Sequence, residues 1–533
     1  MKTLGVYLTE LLAAYGVDTV FGIPGVHTVE LYRGLADSPI RHITARHEQS
    51  LGFMADGYAR VSGKPGVCLV ISGPGLTNTL TAMGQAYSDS VPMLVISGVN
   101  ALGKLGSGNG YLHELPDQQA LASQVCAFSH SLTRAEELPQ VLARAFAVFD
   151  GARPRPVHIE IPLDLMSAPA DHLPLPLRPP RLSRGAAPAG ELALAAKQLR
   201  EASRPLLLVG GGATAAAADI ARLAELLDAP TLMTINARGV LPAGHPLALS
   251  CTPSLPAARA LIDSSDVVLA IGTEIGPTDY DMYADGGFTL PGRLIRIDID
   301  PQQLFRNRAA DLPLLGDAAA SVAALCLLLN GPCASRQGAE RAARARAGFA
   351  EQLDAQSRDD LALLHQVRDA LPQARWVGDS TRLVYAGNLG FDALAPRHWF
   401  NASVGFGALG YGLPAAIGAA LAAAPQPVIC LAGDGGFQFT LAELGTAVES
   451  DTPLIVLLLN NRCYGEIRAA MQAVAVTPLG VDLHSPDFVA LARAYGWHAE
   501  RVIGNGAIVA AVQAAAGRRQ PTLIEIPAPA PGQ

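Results

Sequence analysis

Short apolar runs alternate with longer amphipathic segments along most of the chain. Twelve runs are predicted to be strands buried on both faces, because apolar residues follow one another in them with little interruption. They are VDTVFGI, GVCLVIS, PMLVISG, VHIEIP, RPLLLVG, PTLMTI, SDVVLAIG, LIRIDID, WVGDS, PVICLAG, PLIVLLLN and TLIEIP. Helical spacing fills the intervals, as in EQSLGFMADGYARVSG. This alternation predicts an α/β fold of parallel sheets with helices on both sides.

The predicted strands fall into three blocks. These predict three tandem doubly wound parallel-sheet domains over residues 1–166, 191–330 and 351–533. The proline-rich stretch 167–190 is predicted to be an extended linker, because proline is excluded from helix interiors and central strands. A second linker is predicted near residues 331–348.

Composition narrows the class of protein. The net charge of −8 gives no reason to expect binding to nucleic acid or to an anionic membrane. No run of 18 apolar residues is free of breaks, and Glu10 interrupts the N-terminal segment, so neither a membrane span nor a signal peptide is predicted. The seven cysteines form no CxxC pair, which favours reduced thiols in a cytoplasmic protein.

The strongest chemical signal is Gly433-Asp434-Gly435, separated from the pair Asn460-Asn461 by residues 436–459. Each element follows a predicted strand. Neighbouring parallel strands would therefore bring Asp434 and Asn461 to one edge of a sheet, where ligands bind in open α/β folds. The alternative is purely structural: an aspartate in a turn would explain the first element, and an asparagine pair in a loop would explain the second. It does not explain why both occur at this spacing after adjacent strands.

One carboxylate and one amide oxygen suit a Mg2+ ion that takes its other ligands from phosphate and water. Gly435 and Gly436 would let the backbone approach a diphosphate, and the N-terminus of the following helix, predicted over 439–450, favours negative charge. The pattern therefore predicts a site for magnesium and a diphosphate.

This arrangement resembles the GDG…NN motif of thiamine diphosphate (ThDP) enzymes. The chain from Met1 to about Pro527 resembles the acetolactate synthase and pyruvate decarboxylase superfamily, in which pyrimidine-binding, central and diphosphate-binding domains follow in this order. The resemblance implies Mg2+ ligands at Asp434, Asn461 and the backbone carbonyl of Cys463. The cofactor contacts that it implies in this domain are Gly433, Asp434, Gly435, Gly436, Asn461, Tyr464, Gly465 and Glu466.

Residues 46–67 (RHEQSLGFMADGYARVSGKPGV) resemble a second family element. The resemblance places Glu48 against N1′ of the cofactor aminopyrimidine. There a carboxyl group promotes the imino tautomer that removes the C2 proton. An isolated glutamate after a histidine would instead be a solvated surface charge, so this role depends on the whole segment.

Two more segments resemble parts of the family that surround the pyrimidine, GFGALGYGLPAAIGAAL (405–421) and SGPGLTN (72–78). In the family a large apolar side chain in the first segment props the cofactor into its bent form, and Leu409 occupies that position. An ordinary core leucine would look the same, because the role is itself a packing role. The residues implied as contacts are Ser72, Asn78, Gly407, Ala408 and Leu409.

The family also implies an oligomer, since the pyrimidine domain of one subunit meets the diphosphate domain of another. Glu48 and Asp434 of different chains would then serve one cofactor. We expect a homodimer or homotetramer with active sites at the subunit interface, and a hydrophobic content of 50 % agrees with apolar area buried between subunits.

The fold does not choose the reaction. After a 2-oxo acid loses carbon dioxide, family members protonate the product, join it to a second 2-oxo acid, or oxidise it. Acetolactate synthases usually carry FAD and an RFDDR-like run, whereas residues 271–287 are acidic here, with Glu274, Asp279, Asp281 and Asp285, so FAD is not expected. His113 is expected to protonate the intermediate or position the substrate carboxylate, the alternative being a surface-loop histidine.

The segments GIPGVHTVELYRGL and YLHELPDQ resemble 5-guanidino-2-oxopentanoate (2-ketoarginine) decarboxylases. This resemblance implies conversion of that small-molecule 2-oxo acid to 4-guanidinobutanal and carbon dioxide. A guanidinium in a closed pocket needs a carboxylate partner, and the candidates are Glu114, Asp117 and Glu466.

Three other functions were weighed. A carboligase of the acetolactate synthase type, acting on pyruvate, stays open as the alternative. A non-catalytic subunit would predict a broken GDG…NN motif or loss of Glu48, and both are intact. An NAD-dependent oxidoreductase is suggested only by Gly210–Gly212, which lack a full GxGxxG and are interpreted as a structural tight turn.

Overall fold

The fold consists of three six-stranded parallel sheets with interleaved helices, as the alternating pattern predicted. The computed structural model describes residues 2–282 and 287–528. Asp285, one of the acidic residues named above, lies outside the described residues.

The first sheet has the strand order β2-β1-β3-β4-β6-β5. Its strands are β1 (Thr19–Gly22), β2 (Arg41–Thr44), β3 (Gly66–Val70), β4 (Met93–Val99), β5 (Phe128–Ser131) and β6 (Val157–Pro162). Its helices are α1 (Leu4–Ala14), α2 (Val29–Arg33), α3 (Glu48–Ser62), α4 (Pro74–Ser88), α5 (Gln118–Ser123), α6 (Leu138–Gly151) and α7 (Leu163–Met166).

The second sheet has the order β12-β11-β10-β7-β8-β9, the strand order of dinucleotide-binding folds. Its strands are β7 (Pro205–Val209), β8 (Thr231–Met233), β9 (Ala248–Leu249), β10 (Val267–Ile271), β11 (Arg293–Asp298) and β12 (Leu312–Leu315). Its helices are α8 (Ala189–Glu201), α9 (Ala217–Leu227), α10 (Pro256–Asp263), α11 (Pro277–Tyr280), α12 (Ala318–Leu329) and α13 (Gly338–Gln352).

The third sheet repeats the relative order of the first, as β14-β13-β15-β16-β18-β17. Its strands are β13 (Arg375–Gly378), β14 (Trp399–Asn401), β15 (Val428–Gly433), β16 (Ile455–Asn460), β17 (His498–Arg501) and β18 (Thr522–Pro527). Its helices are α14 (Ala355–Ala370), α15 (Arg382–Gly390), α16 (Gly412–Ala423), α17 (Asp434–Phe437), α18 (Glu443–Glu449), α19 (Gly465–Ala473), α20 (Phe488–Ala494) and α21 (Asn505–Ala516).

Two local predictions were wrong. The linker expected near 331–348 is largely helix, because α13 begins at Gly338 and its run of Ala, Arg and Glu has high helix propensity. The single helix expected over 439–450 is divided instead. A short helix, α17, starts at Asp434, a 3-10 turn follows at Gln438–Thr440, and α18 completes the segment.

The chain forms two compact units. The first contains Met1–Leu182, Val377–Thr381 and Asn401–Gln533, and the second contains Ser183–Trp376 and Arg382–Phe400. Within the first unit, α3 lies directly on α16. A Cβ atom on Gly57 would be 2.0 Å from the carbonyl oxygen of Ala415, and one on Gly418 would be 1.9 Å from that of Met54, so both contacts require glycine.

No helix among residues 2–282 and 287–528 is long and apolar enough to cross a membrane.

Candidate active site

Asp434 and Asn461 meet at the carboxyl ends of two adjacent strands. β15 and β16 pair in parallel with Gly433 opposite Leu459, and the two residues follow these strands. The backbone N–H of Asn461 donates to Asp434 Oδ1 over 3.3 Å. The side-chain oxygen of Asn461 accepts the N–H of Cys463 at 3.2 Å, which fixes the amide orientation.

The carboxylate of Asp434 has a second partner that the sequence did not indicate. Ser485 Oγ donates to Asp434 Oδ2 over 2.8 Å, from a loop after α19. Asp434 is only 1 % exposed, and its burial raises the pKa of the carboxyl group. No regular element or motif surrounds Ser485, so the sequence carried no signal for it.

The donor set fits Mg2+ held jointly with a diphosphate. Among residues 2–282 and 287–528, no cationic side chain is paired with the buried carboxylate of Asp434. This carboxylate and the oriented amide oxygen of Asn461 are hard ligands that leave positions for phosphate oxygens and water. Within the described residues, no group of three or more His, Cys, Asp or Glu side chains forms a metal cage. Oxygen atoms of a cofactor diphosphate and of water would complete the coordination of a cation at this edge.

The glycines of the 433–436 turn lie against neighbouring side chains. A Cβ atom on Gly435 would be 2.6 Å from Cε1 of Tyr464, and one on Gly436 would be 2.9 Å from Oδ1 of Asp379. Side chains are thereby excluded at both positions. The turn also begins α17, whose N-terminus favours an anion.

Asp379 anchors the loop that precedes α16. This buried carboxylate accepts the N–H groups of Ser380, Gly410 and Gly412 at 2.8, 3.3 and 3.0 Å. Burial raises the pKa of Asp379. The residue lies just after β13, so an acid at a strand end was a signal that our sequence analysis missed.

Gln85 holds the same loop from α4. Its Oε1 accepts the N–H of Ala408 at 3.1 Å, and its Nε2 donates to Asp89 at 2.9 Å and to the carbonyl of Val404 at 3.5 Å. The N–H of Ala408 is therefore occupied. Gly407 is exposed at φ +75°.

Leu409, the expected support for the cofactor, is half-buried beside this anchored stretch. Tyr411, further along the loop, donates to Asp56 Oδ1 at 2.5 Å. Arg60 bridges Asp56 and Asp89 at 2.6 and 2.5 Å. A buried ionic cluster on α3 and α4 thus fixes the far end of the loop.

Glu48 begins α3 and is joined to Asn78. Asn78 Nδ2 donates to Glu48 Oε2 over 3.0 Å, and both residues are half-buried. Two residues expected at the pyrimidine are therefore neighbours. His47 caps the helix by accepting the N–H of Gln49 at 3.1 Å, which fixes the backbone at Glu48.

Ser72 contacts a histidine that the sequence analysis did not single out. Its hydroxyl hydrogen-bonds Nδ1 of His27, whose ring lies edge-on to that of His113 with centroids 5.0 Å apart. Burial lowers the pKa of His27, and His113 adds to this effect. Nδ1 of His113 is buried without a partner among the residues that the structure describes.

His113 rests on a turn fixed by Gln118. Gln118 Oε1 accepts the N–H of Gly73 at 2.8 Å, while Nε2 donates to the carbonyl of Gly98 and to Glu160, each at 2.9 Å. Gly73 has φ +62°, and a Cβ there would be 2.7 Å from the His113 carbonyl oxygen. His113 is thus half-buried, and it follows the exposed stretch 103–112.

The three candidate partners for a guanidinium differ in their surroundings. Both oxygens of Glu114 accept bonds from its own loop, with Ser107 Oγ and the N–H of Gly108 on one and the N–H groups of Gly110 and Tyr111 on the other. Asp117 caps α5 through the N–H of Ala120. Glu466 is exposed in the first turn of α19, directly after Tyr464 and Gly465.

The turn formed by Gly210–Gly212 in the central sheet lies against backbone atoms of Gly272. The N–H of Gly212 donates to the carbonyl of Gly272 at 3.1 Å, and a Cβ on Gly210 would be 2.3 Å from that oxygen. Glycine is needed there for packing between the ends of β7 and β10. Of the nearby acids, Asp279 is half-buried with its pKa raised to about 6 by desolvation, and Asp281 is paired with Arg259 at 2.6 Å.

The fold and this constellation define an enzyme of the thiamine diphosphate class. Three family profiles match the chain: the N-terminal TPP binding domain of thiamine pyrophosphate enzymes over residues 2–121, their central domain over 192–325 and their C-terminal TPP binding domain over 377–526. The chain belongs to the thiamine pyrophosphate enzyme family.

Its relatives include decarboxylases and synthases. The chain is 47 % identical to a probable 2-ketoarginine decarboxylase of Pseudomonas aeruginosa, over 98 % of this chain and 94 % of the relative. It is 31 % identical to a probable acetolactate synthase large subunit of Methanocaldococcus jannaschii, over 97 % of this chain and 90 % of the relative. It is also 31 % identical to the large subunit of acetolactate synthase isozyme 2 of Escherichia coli, over 98 % and 94 %.

Proposed function

We propose that this protein is a ThDP- and Mg2+-dependent decarboxylase that converts 5-guanidino-2-oxopentanoate to 4-guanidinobutanal and carbon dioxide. The observation that carries the proposal is the 47 % identity, over nearly the whole of both chains, to a protein named as a probable 2-ketoarginine decarboxylase. The acetolactate synthases share only 31 % identity. The pairing of Asp434 with Asn461 and of Glu48 with Asn78 supports the cofactor assignment.

In the proposed reaction, bound ThDP supplies a carbanion for addition to the 2-oxo carbon and an electron sink for loss of carbon dioxide. Asp434, Asn461 and the carbonyl of Cys463 hold Mg2+. Glu48 holds a proton at the pyrimidine. His113 would supply the proton that replaces carbon dioxide at the reacting carbon. In the net reaction the carbon–carbon bond to the carboxyl group breaks and a carbon–hydrogen bond forms, while the bond to the cofactor is made and broken again.

We propose that Glu466 pairs with the substrate guanidinium. It lies in the first turn of α19, three residues after Cys463, and it is exposed. Glu114 is less suited, because the four bonds that it accepts organise its own loop. A bidentate carboxylate–guanidinium pair would distinguish this substrate from neutral 2-oxo acids.

The active form is proposed to be a homodimer or homotetramer with shared active sites. Large apolar side chains on and after α19 support this, since Ile467, Val474 and Leu479 are 53 %, 72 % and 83 % exposed in the single chain. A cytoplasmic location is supported by the seven cysteines, all of which are free thiols.

The central domain is proposed to bind no FAD. The backbone hydrogen bond from Gly212 to Gly272 occupies the turn that would approach a pyrophosphate at this topological switch point. Released flavin, assayed by absorbance after denaturation of the purified protein, tests this proposal.

A substrate panel tests the function. The protein, reconstituted with ThDP and Mg2+, is assayed for carbon dioxide and organic product from 5-guanidino-2-oxopentanoate, pyruvate, phenylpyruvate, benzoylformate and a branched 2-oxo acid. Preference for the guanidino acid with an aldehyde product supports the proposal, whereas acetolactate from pyruvate supports the carboligase.

Glu466→Gln should raise KM for the guanidino acid about 10- to 100-fold. Loss of one member of a fully buried charged pair costs more than this, and we expect a smaller effect because Glu466 is exposed before substrate binds. The matched control is Glu136→Gln, because Glu136 is an exposed glutamate in the turn between β5 and α6. Equal KM values for Glu466→Gln and the wild type would remove Glu466 from the site.

A further inference from the structure

A cavity of about 820 Å3 lies at the end of the central sheet opposite the glycine turn. It is lined by one face of α10, one face of α13 and the segment before β7, including Arg204. Gly210–Gly212 follow β7 at its other end. The cavity is therefore separate from the edge at which nucleotides bind in folds of this strand order.

The charged side chains that line the cavity are all basic. Arg204, Arg336, Arg341 and Arg344 line the cavity, and no aspartate or glutamate does. None of the four forms an ion pair within the described parts of the chain. Two carboxylates lie behind the lining: Asp228 accepts the backbone N–H of Arg336 at 2.6 Å, and Asp266 accepts that of Arg204 at 2.9 Å. Four guanidinium groups against these two carboxylates still leave the cavity with an excess of positive charge.

Two of the arginines are held rigidly. Arg341 is 6 % exposed and donates to the carbonyl of Pro205 and to Ser265 Oγ, each at 2.9 Å. Arg336 donates to the carbonyls of Leu227 and Arg200 at 3.0 and 2.6 Å. Carbonyl oxygens fix these guanidinium groups without neutralising them.

The arginines also repel one another. The pKa of Arg341 is lowered first by burial and then by the charges of Arg204 and Arg344, while Asp266 and Asp228 offset part of this effect. Arg204 and Arg344 are exposed, and within the described residues their guanidinium groups have no hydrogen-bond partner. An anion in the cavity would relieve the repulsion and bind to groups that are already oriented.

We propose that this cavity binds a multiply charged organic phosphate of the nucleoside triphosphate class. The volume lies within the range of about 300–1,000 Å3 typical of small-molecule sites. Guanidinium groups match phosphate oxygens in geometry and charge. The apolar side chains of Pro256, Ala257 and Leu261 on α10 provide a wall against which a flat ring can lie.

The test is equilibrium dialysis of ATP, and separately of inorganic triphosphate, against the full-length protein saturated with ThDP and Mg2+, so that the cofactor site is occupied. The cavity variant is Arg204→Gln with Arg344→Gln. It removes two guanidinium groups that have no hydrogen-bond or ion-pair partner within residues 2–282 and 287–528. The control is Arg222→Gln with Arg293→Gln, two exposed arginines of the same unit outside the cavity.

We expect saturable binding to the wild type, at least roughly tenfold weaker binding to the cavity variant, and binding to the control within about twofold of the wild type. Tighter binding of ATP than of triphosphate supports recognition of the nucleoside by the α10 wall. Triphosphate binding as tight as that of ATP would overturn the nucleoside assignment and leave only a polyphosphate site. Absence of saturable binding of either probe, or equal affinities of the cavity and control variants, would overturn the proposal.

Discussion

Ser485 donates a hydrogen bond to Oδ2 of Asp434 over 2.8 Å, across 51 residues of sequence. The other carboxylate oxygen accepts the N–H of Asn461 at 3.3 Å. Asp434 is therefore oriented from both sides before any cation is bound. In metal sites generally, the groups that orient a ligand matter nearly as much as the ligand itself.

Ser485→Ala should weaken activation by Mg2+. Because the variant removes one partner of the buried carboxylate while leaving its charge, we expect the Mg2+ concentration for half-maximal ThDP binding to rise about tenfold. Tryptophan fluorescence titration with Mg2+ at fixed ThDP measures this. The control is Ser62→Ala, which removes the hydroxyl of a half-buried serine at the last residue of α3. Identical midpoints for the two variants would show that Ser485 does not tune the site.

Glu48→Gln separates cofactor binding from turnover. The amide can still accept a hydrogen bond from Asn78, but it cannot carry the proton needed at the pyrimidine. We expect folding and ThDP affinity close to those of the wild type and a loss of kcat of about 10²-fold or more. Fluorescence titration and steady-state assays measure the two effects. Near-normal turnover of this variant would contradict the proposed activation mechanism.

The sequence predicted the interior of each sheet and missed its edges. The twelve predicted strands are the four inner strands of each sheet, and the six missed strands are the edges. Inner strands such as β3 and β4 are buried at every residue, which produces continuous apolar runs. Edge strands such as β2 (RHIT) and β17 (HAER) are partly exposed and polar, so their composition resembles that of a loop.

The site divides in a similar way. Asp434 and Asn461 lie in a motif with a fixed spacing, and Glu48 lies in a segment that resembles a family element, so all three could be named from the sequence. Ser485 and Gln85 lie on a loop and a helix where a single serine or glutamine is unremarkable. Their partners are 51 and 323 residues away in the chain, a separation that local patterns do not encode.

Gln85→Met should weaken cofactor binding without unfolding the chain. Methionine has a similar volume but cannot bond the N–H of Ala408 or the carbonyl of Val404, so the cofactor loop loses part of its preorganisation. We expect the Kd of ThDP to rise about tenfold. Hydrogen exchange of residues 404–410 should accelerate in parallel.

Gln119→Met is the matched control, since within the described part of the chain the Gln119 side chain bonds only the carbonyl of Ser129 on the edge strand β5. A lower Tm for Gln85→Met with unchanged ThDP affinity and unchanged loop exchange would mean that Gln85 contributes to stability alone.

His158 makes the stability of the protein depend on pH. The side chain is fully buried, with Nε2 hydrogen-bonded to Ser97 Oγ at 2.8 Å and Nδ1 hydrogen-bonded to Ser129 Oγ at 2.7 Å. Desolvation lowers the pKa of His158 from 6.5 to about 3. Between these values the unfolded chain binds a proton that the folded chain does not. The contribution of neutral His158 is therefore complete above pH 6.5 and is lost progressively as the pH falls toward 3.

His158→Gln removes this titration while keeping a polar group between the two serines. We expect the variant to be less stable than the wild type at pH 7, and the difference to shrink by about 1 kcal/mol for each pH unit below 6. Urea unfolding at pH 7, 6 and 5 measures this stability difference. The control is His172→Gln, because His172 is exposed and paired with Glu136. A stability difference that stays constant across this range would show that His158 gains no proton when the chain unfolds.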